Sequence, residues 1–270
     1  MFNVKDLDET RAPLLDHLIE LRTRVVRALL ALGVGFGVCL YFADEILGLL
    51  VLPLKQAFPD GEGQLIFTKL PEVFFVELKV ALFAGFMVSF PVIANQLWAF
   101  VAPGLYAREK KAFLPFLFAT PVLFGAGASL AYFVVMPVAF TFFLGFGGMT
   151  GGLDVQALPS AGDYLSLVMQ FILAFGLTFL LPVLLLLLHR AGIITRAQMV
   201  AARRYVIVVI FVIAAVVTPP DPGSQIILAV PLWLLFEAAL LLMRFQEKAV
   251  EADRAARKAE EAAEQQAAAE

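Results

Sequence analysis

The chain has 270 residues, of which 61% are hydrophobic and 16% charged, and its mean hydropathy is +0.88. Soluble globular domains carry charge on about a quarter of their residues. That class is therefore excluded, and 26 phenylalanines on long uncharged runs indicate a polytopic membrane protein. The net charge of −3 says little, because the sign of each loop matters more than the sum, and the single cysteine, Cys39, rules out an intrachain disulfide.

The first element predicted is a charged amphipathic helix over residues 1–24. Leu14, Leu18, Leu21 and Val25 share one helical face while Asp16, Glu20 and Arg24 lie on another. This helix feeds the first apolar run and places Glu20 at the water–lipid boundary. Charged residues before that run, with no small-residue cleavage site after it, predict no removable signal peptide.

Six apolar segments follow, at Val25–Ala43, Val73–Val101, Phe113–Phe143, Tyr164–Leu188, Tyr205–Thr218 and Ile226–Met243. They predict a membrane domain over 25–243, followed by a charged, Ala-rich tail over 244–270 that is either a solvated helix or disordered. Lys5, Arg11, Arg22 and Arg24 precede the first segment. Arg108, Lys110 and Lys111 lie in the second loop, and Arg190, Arg196, Arg203 and Arg204 in the fourth. The first loop holds only Lys55 and Lys69, and the third and fifth hold no Lys or Arg. Positive loops face the cytoplasm, so both termini are expected inside.

A bilayer core about 30 Å thick needs about 20 helical residues. The fifth and sixth segments are short by this measure, while the second and third are long enough to tilt. Pro-Val recurs within the spans at Pro91, Pro121, Pro137 and Pro182. Interior proline removes a backbone hydrogen bond and bends a helix. The expected fold is all-α, with six bent helices of unequal length forming a concave wall; ordinary membrane-helix proline is the alternative reading.

Turn chemistry punctuates the loops. Pro59-Asp60-Gly61 breaks the first loop, Pro71-Glu72 opens the second span, and Gly145, Gly147, Gly148, Gly151 and Gly152 crowd the third loop. Ser160–Asp163 and Thr195–Gln198 both resemble capping boxes, the second opening a short helix that carries Arg203 and Arg204 toward the fifth span.

Ionisable residues within spans are few. Glu77 and Lys79 sit where both can snorkel. Glu237 is the one acid deep in a span, either protonated and hydrogen-bonded between helices or functional. No acidic or histidine chain crosses the membrane for a proton relay, and no His-Glu-x-x-His, Gly-x-Ser-x-Gly or phosphate-loop motif occurs. A transporter built of inverted repeats would need polar groups at mid-depth in both halves, and no convincing internal repeat is present. Two other carboxylates stand out. Glu20 either pairs with Arg24 at i,i+4 or awaits a cationic partner, and Glu109 is either a solvated loop charge or part of the same site. Thr218–Gln225 reads as a rigid hairpin with Asp221 or Ser224 capping a helix.

Five stretches resemble the TatC family of twin-arginine translocase subunits. They are His17-Leu-Ile-Glu-Leu-Arg22; Gln96–Tyr106 followed by Glu109-Lys110; Tyr132–Pro137; Tyr164-Leu-Ser; and Thr218-Pro-Pro-Asp221 with Ser224-Gln225. The resemblance runs from about residue 14 to 245 in order. It implies a receptor in the bacterial inner membrane that recognises the paired arginines of signal peptides on folded cargo, and no enzyme. By this resemblance Glu20 and Glu109 meet the arginines, with Arg22, Phe100, Pro103, Leu105 and Tyr106 shaping the site. Pro53, Thr218, Asp221, Gln225 and Glu237 are assigned to assembly and translocation.

A planar guanidinium fits a carboxylate bidentately, and lysine loses the fork. The implied partners are signal peptides, the single-span subunits TatA and TatB, further copies of the chain and membrane lipid. Nucleic acid and bound cofactors are not expected, and transport would draw on the proton-motive force. The chain departs from the family at Leu180, where many members carry Glu or Gln. Gln170 lies ten residues earlier, about 80° away around an ideal helix, and is a doubtful substitute.

Overall fold

A computed structural model describes residues 5–58, 63–105, 110–150, 153–155, 157–190, 192–217 and 222–267, with side chains described from His17 to Lys248 except those of 101–115, 148–156, 217–222, 224 and the undescribed positions. Apart from two three-residue strands the described residues are helical or irregular. Five helical windows are long and apolar enough to cross a bilayer: His17–Tyr41, Glu72–Phe100, Phe116–Leu144, Ala161–Arg190 and Gln225–Lys248. The chain divides into two compact units, Met1–Thr178 and Phe179–Glu270.

In the first unit, α1 (Lys5–Tyr41) is a single helix, so the charged lead-in and the first apolar segment are continuous. It packs along α3 (Glu72–Leu105). Glycine permits that approach: a Cβ on Gly35 would meet Ser89 Oγ at 2.4 Å and the Gly85 carbonyl oxygen at 2.7 Å. The Ser89 hydroxyl donates to the Ala31 carbonyl at 2.8 Å, tying the same two helices. Where α3 meets α4 (Lys110–Leu130), the Trp98 indole N–H donates to Thr120 Oγ1 at 2.8 Å, and the Thr120 hydroxyl donates to the Phe116 carbonyl. Phe90 and Phe124 stack beneath it at 3.7 Å between centroids.

Helix α2 (Ala43–Ala57) is an element the sequence reading left inside the first loop. Asp44 and Glu45 in its first turn and Lys55 in its last suit the helix dipole, and Phe58, ahead of a proline, is extended. The Pro59-Asp60-Gly61 turn lies outside the described residues. Pro137 does not break the third span. A π-helical turn at Ala131–Val135, with the Met136 N–H donating to the Ala131 carbonyl, leads into α5 (Met136–Leu144).

The Gly-rich loop contains β1 (Gly148–Thr150) and β2 (Leu153–Val155), antiparallel with Met149 opposite Asp154. Gly151 and Gly152 lie outside the described residues. The reading of this loop as turns alone missed the strands because three residues show no usable alternation.

Helix α6 (Ala161–Thr178) closes the unit. Its cap differs from the predicted box. The Asp163 N–H reaches Ser160 Oγ at 3.5 Å, but the Ser160 hydroxyl donates to Glu72 Oε1 at 2.7 Å. Glu72 also accepts from the Gly162 N–H and, through Oε2, from the Thr68 N–H, the Thr68 hydroxyl and the Lys69 N–H. One carboxylate thus joins the start of α3 to the start of α6.

In the second unit, α7 (Leu181–Arg190) begins next to Pro182, where the ring removes an N–H and biases the preceding residue away from helix. The Thr195–Gln198 capping box forms in full ahead of α8 (Arg196–Ala201). Helix α9 (Arg203–Val217) spans 15 residues, as short as expected. Helix α10 (Pro222–Ala267) corrects the other expectation. The sixth apolar segment is not short, because the helix runs past Met243 and its spanning window, Gln225–Lys248, has 24 residues. Charged residues after Met243 hid the continuation, since good helix formers extend a helix whether or not they are apolar.

Candidate functional site

The His17–Arg22 motif occupies one exposed turn of α1, and the helical repeat decides what its side chains meet. Glu20 Oε1 accepts from Arg24 Nε at 3.0 Å and from Arg24 Nη2 at 2.5 Å. The i,i+4 pairing is therefore made, and it is lopsided: both guanidinium contacts fall on one oxygen. Oε2 lies 3.8 Å from His17 Nδ1, within ion-pair range but too far for a hydrogen bond. Among the described residues Oε2 has no hydrogen-bond partner, and the carboxylate side chain is 32% exposed.

His17 also stacks face to face on Phe100, with centroids 4.3 Å apart and planes 15° from parallel. This contact brings the first motif against the end of α3, so Glu20 and Phe100 belong to one patch. Arg22 is exposed in the same turn. Glu109 and Tyr106 lie outside the described residues, as do the side chains of Pro103 and Leu105. The sequence reading did not single out His17 or Arg24 as site residues. The signal for both was present in their spacing of three and four from Glu20.

Two other assigned residues tie α9 to α10. Glu237, halfway along Gln225–Lys248, accepts from Arg203 Nη2 at 2.7 Å. Arg203 is the first residue of α9, so the carboxylate is in an ion pair between helices. At the start of α10, Gln225 Nε2 donates to the Phe211 carbonyl at 3.1 Å. Thr218 and Asp221 lie outside the described residues. Pro53 is buried within α2. Leu180 lies in the interruption between α6 and α7, where its carbonyl accepts from the Leu184 N–H at 3.0 Å. Among the described residues no three His, Cys, Asp or Glu gather as a metal site would require.

The TatC family profile, described as "Sec-independent protein translocase protein (TatC)", matches residues 16–231. The chain belongs to the TatC family. It is 46% identical over 255 residues to the TatC protein of Magnetococcus marinus, covering 94% of this chain and 92% of that one. Identity to TatC of Escherichia coli K12 is 38% over 237 residues, covering 88% and 90%. The fold agrees with a crystal structure described as the twin arginine translocase receptor TatC in DDM, at a TM-score of 0.73 and 40% identity, covering 84% of this chain and 98% of that one. This TatC-family chain is thus a multi-pass inner-membrane subunit of the Tat protein translocase, in a transport family and not a family of known catalysts.

Proposed function

We propose that this chain is the receptor and core subunit of twin-arginine export, docking the paired-arginine signal peptide of folded cargo at the cytoplasmic face. In this reading six helices span the bilayer, with α9 as the short fifth span and both termini inside. The proton-motive force drives translocation, and TatA and TatB are the single-span partners. Glu20 and Glu109 each take one arginine. Arg22, Phe100, Pro103, Leu105 and Tyr106 shape the surface around them, and Pro53, Thr218, Asp221, Gln225 and Glu237 serve assembly and translocation.

The observation that carries the reading is the state of Glu20. Its Oε1 is held by Arg24 while, among the described residues, Oε2 has no hydrogen-bond partner, and the turn is anchored by His17 on Phe100. A carboxylate fixed by one cation but unsatisfied on its second oxygen is oriented to accept another guanidinium. A full fork would require Arg24 to yield Oε1, so the first contact runs through Oε2. Lysine in the peptide keeps the charge and loses the planar donors.

The test is site-specific crosslinking of a twin-arginine signal peptide to the purified chain in nanodiscs. Glu20→Ala and Glu109→Ala should each weaken the adduct, and Arg→Lys in the peptide should weaken it less than Arg→Glu. Unchanged crosslinking in both variants would remove the carboxylates from recognition.

A further inference from the structure

Two tyrosine hydroxyls of the first unit converge on adjacent carbonyls of α2. Tyr132 Oη donates to the Leu49 carbonyl at 2.5 Å and Tyr164 Oη donates to the Leu50 carbonyl at 2.7 Å. The backbone chemistry of α2 explains the location. In an α-helix the carbonyl of residue 49 accepts from the N–H of residue 53, and residue 53 is proline, which has none. The proline ring also presses on that carbonyl and tilts it from the axis. Leu49 is therefore left with an acceptor that its own helix cannot satisfy.

The donors come from separate elements. Tyr132 sits on the π-helical turn at Ala131–Val135, and Tyr164 sits in the first turn of α6, where it is buried. Pro53 is buried within α2.

We infer that Pro53 acts by freeing the Leu49 carbonyl for Tyr132, and that Tyr132 and Tyr164 are positioning residues that fix α2 against the π-turn and α6. The proline is a latch seat. This deepens the assignment of Pro53 to translocation and rests on that reading only for the transport readout.

The test is a mutant cycle. Tyr132→Phe keeps the ring and removes the donor, and Pro53→Ala supplies the missing N–H so that Leu49 can pair within its helix. Hydrogen exchange of the 49–57 segment in nanodiscs is measured alongside export of a twin-arginine reporter in cells. Tyr132→Phe in the otherwise unaltered chain should raise exchange of that segment roughly three- to tenfold, the factor for one lost hydrogen bond, and lower export. In the Pro53→Ala background the same substitution should have little effect on either. Tyr164→Phe should keep its effect in both backgrounds, because its acceptor's helical partner is Leu54 and not residue 53. An equal effect of Tyr132→Phe in the two backgrounds overturns the inference. Exchange is independent of transport. Failure of the unaltered chain to export the reporter would sink the receptor reading and leave the latch standing on exchange, while normal export with an additive cycle would sink the latch alone.

Discussion

The Arg203–Glu237 pair gives the sharpest energetic prediction. Its geometry is direct, at 2.7 Å, and its exposure is intermediate, 48% for Arg203 and 25% for Glu237. Removing one partner of a buried pair destabilises by about 3–5 kcal/mol, whereas an exposed pair contributes about 1 kcal/mol or less. With Glu237 three-quarters covered and Arg203 half in the open, Glu237→Ala should destabilise the second unit by about 1–2 kcal/mol. At about 2–4 °C per kcal/mol for a chain of this size, that is a fall in Tm of about 2–8 °C.

Arg203→Ala should also destabilise, because it leaves the better covered Glu237 carboxylate without its cation. The double variant should lie close to Glu237→Ala alone, a coupling of about 1 kcal/mol. Thermal unfolding in one detergent at fixed salt measures all four chains. Additivity within about 0.5 kcal/mol would refute the pair as a tie between α9 and α10.

Two further predictions concern the first unit. Gly85→Ala adds a Cβ 2.6 Å from the Phe36 backbone nitrogen, so α1 and α3 must part; the loss should be about 1–3 kcal/mol by thermal unfolding, with Gly33→Ala, which has open space, near neutral. Trp98→Phe removes the donor to Thr120 and should lower stability by about 1 kcal/mol, seen in the same unfolding assay, while the Thr120 hydroxyl keeps its bond to the Phe116 carbonyl.

Sequence reading succeeded where one physical signal acted alone. Long apolar runs located the five helices long and apolar enough to cross a bilayer, and the i,i+4 spacing of Glu20 and Arg24 anticipated their pair. It failed where covalent and tertiary effects compete. Pro137 reads as a bend, and the sequence does not reveal that a π-turn at Ala131–Val135 precedes it. Ser160 reads as one half of a capping box, and its oxygen does meet the Asp163 N–H at 3.5 Å, but its hydroxyl donates to Glu72, 88 positions away in the chain. Glu237 reads as an intramembrane acid that is either hydrogen-bonded between helices or functional, and nothing local to it reveals that its partner is Arg203 at the start of α9. The stack of His17 on Phe100 is equally invisible to spacing, since it joins residues of α1 and α3 that only folding brings together.

These failures share a cause. Apolar side chains give little preference for one helix partner over another in lipid, so close packing and satisfied polar groups must choose the arrangement. In this chain the choosing groups are hydroxyls and glycines at particular depths. Gly35 and Gly85 let α1 and α3 touch, Ser89 closes that contact on Ala31, and Tyr132 and Tyr164 answer the carbonyls of Leu49 and Leu50. The acceptor at Leu49 exists because Pro53 lacks an N–H. Proline and tyrosine must therefore be read together: the proline defines where a donor is needed, and the tyrosine identifies which helix supplies it.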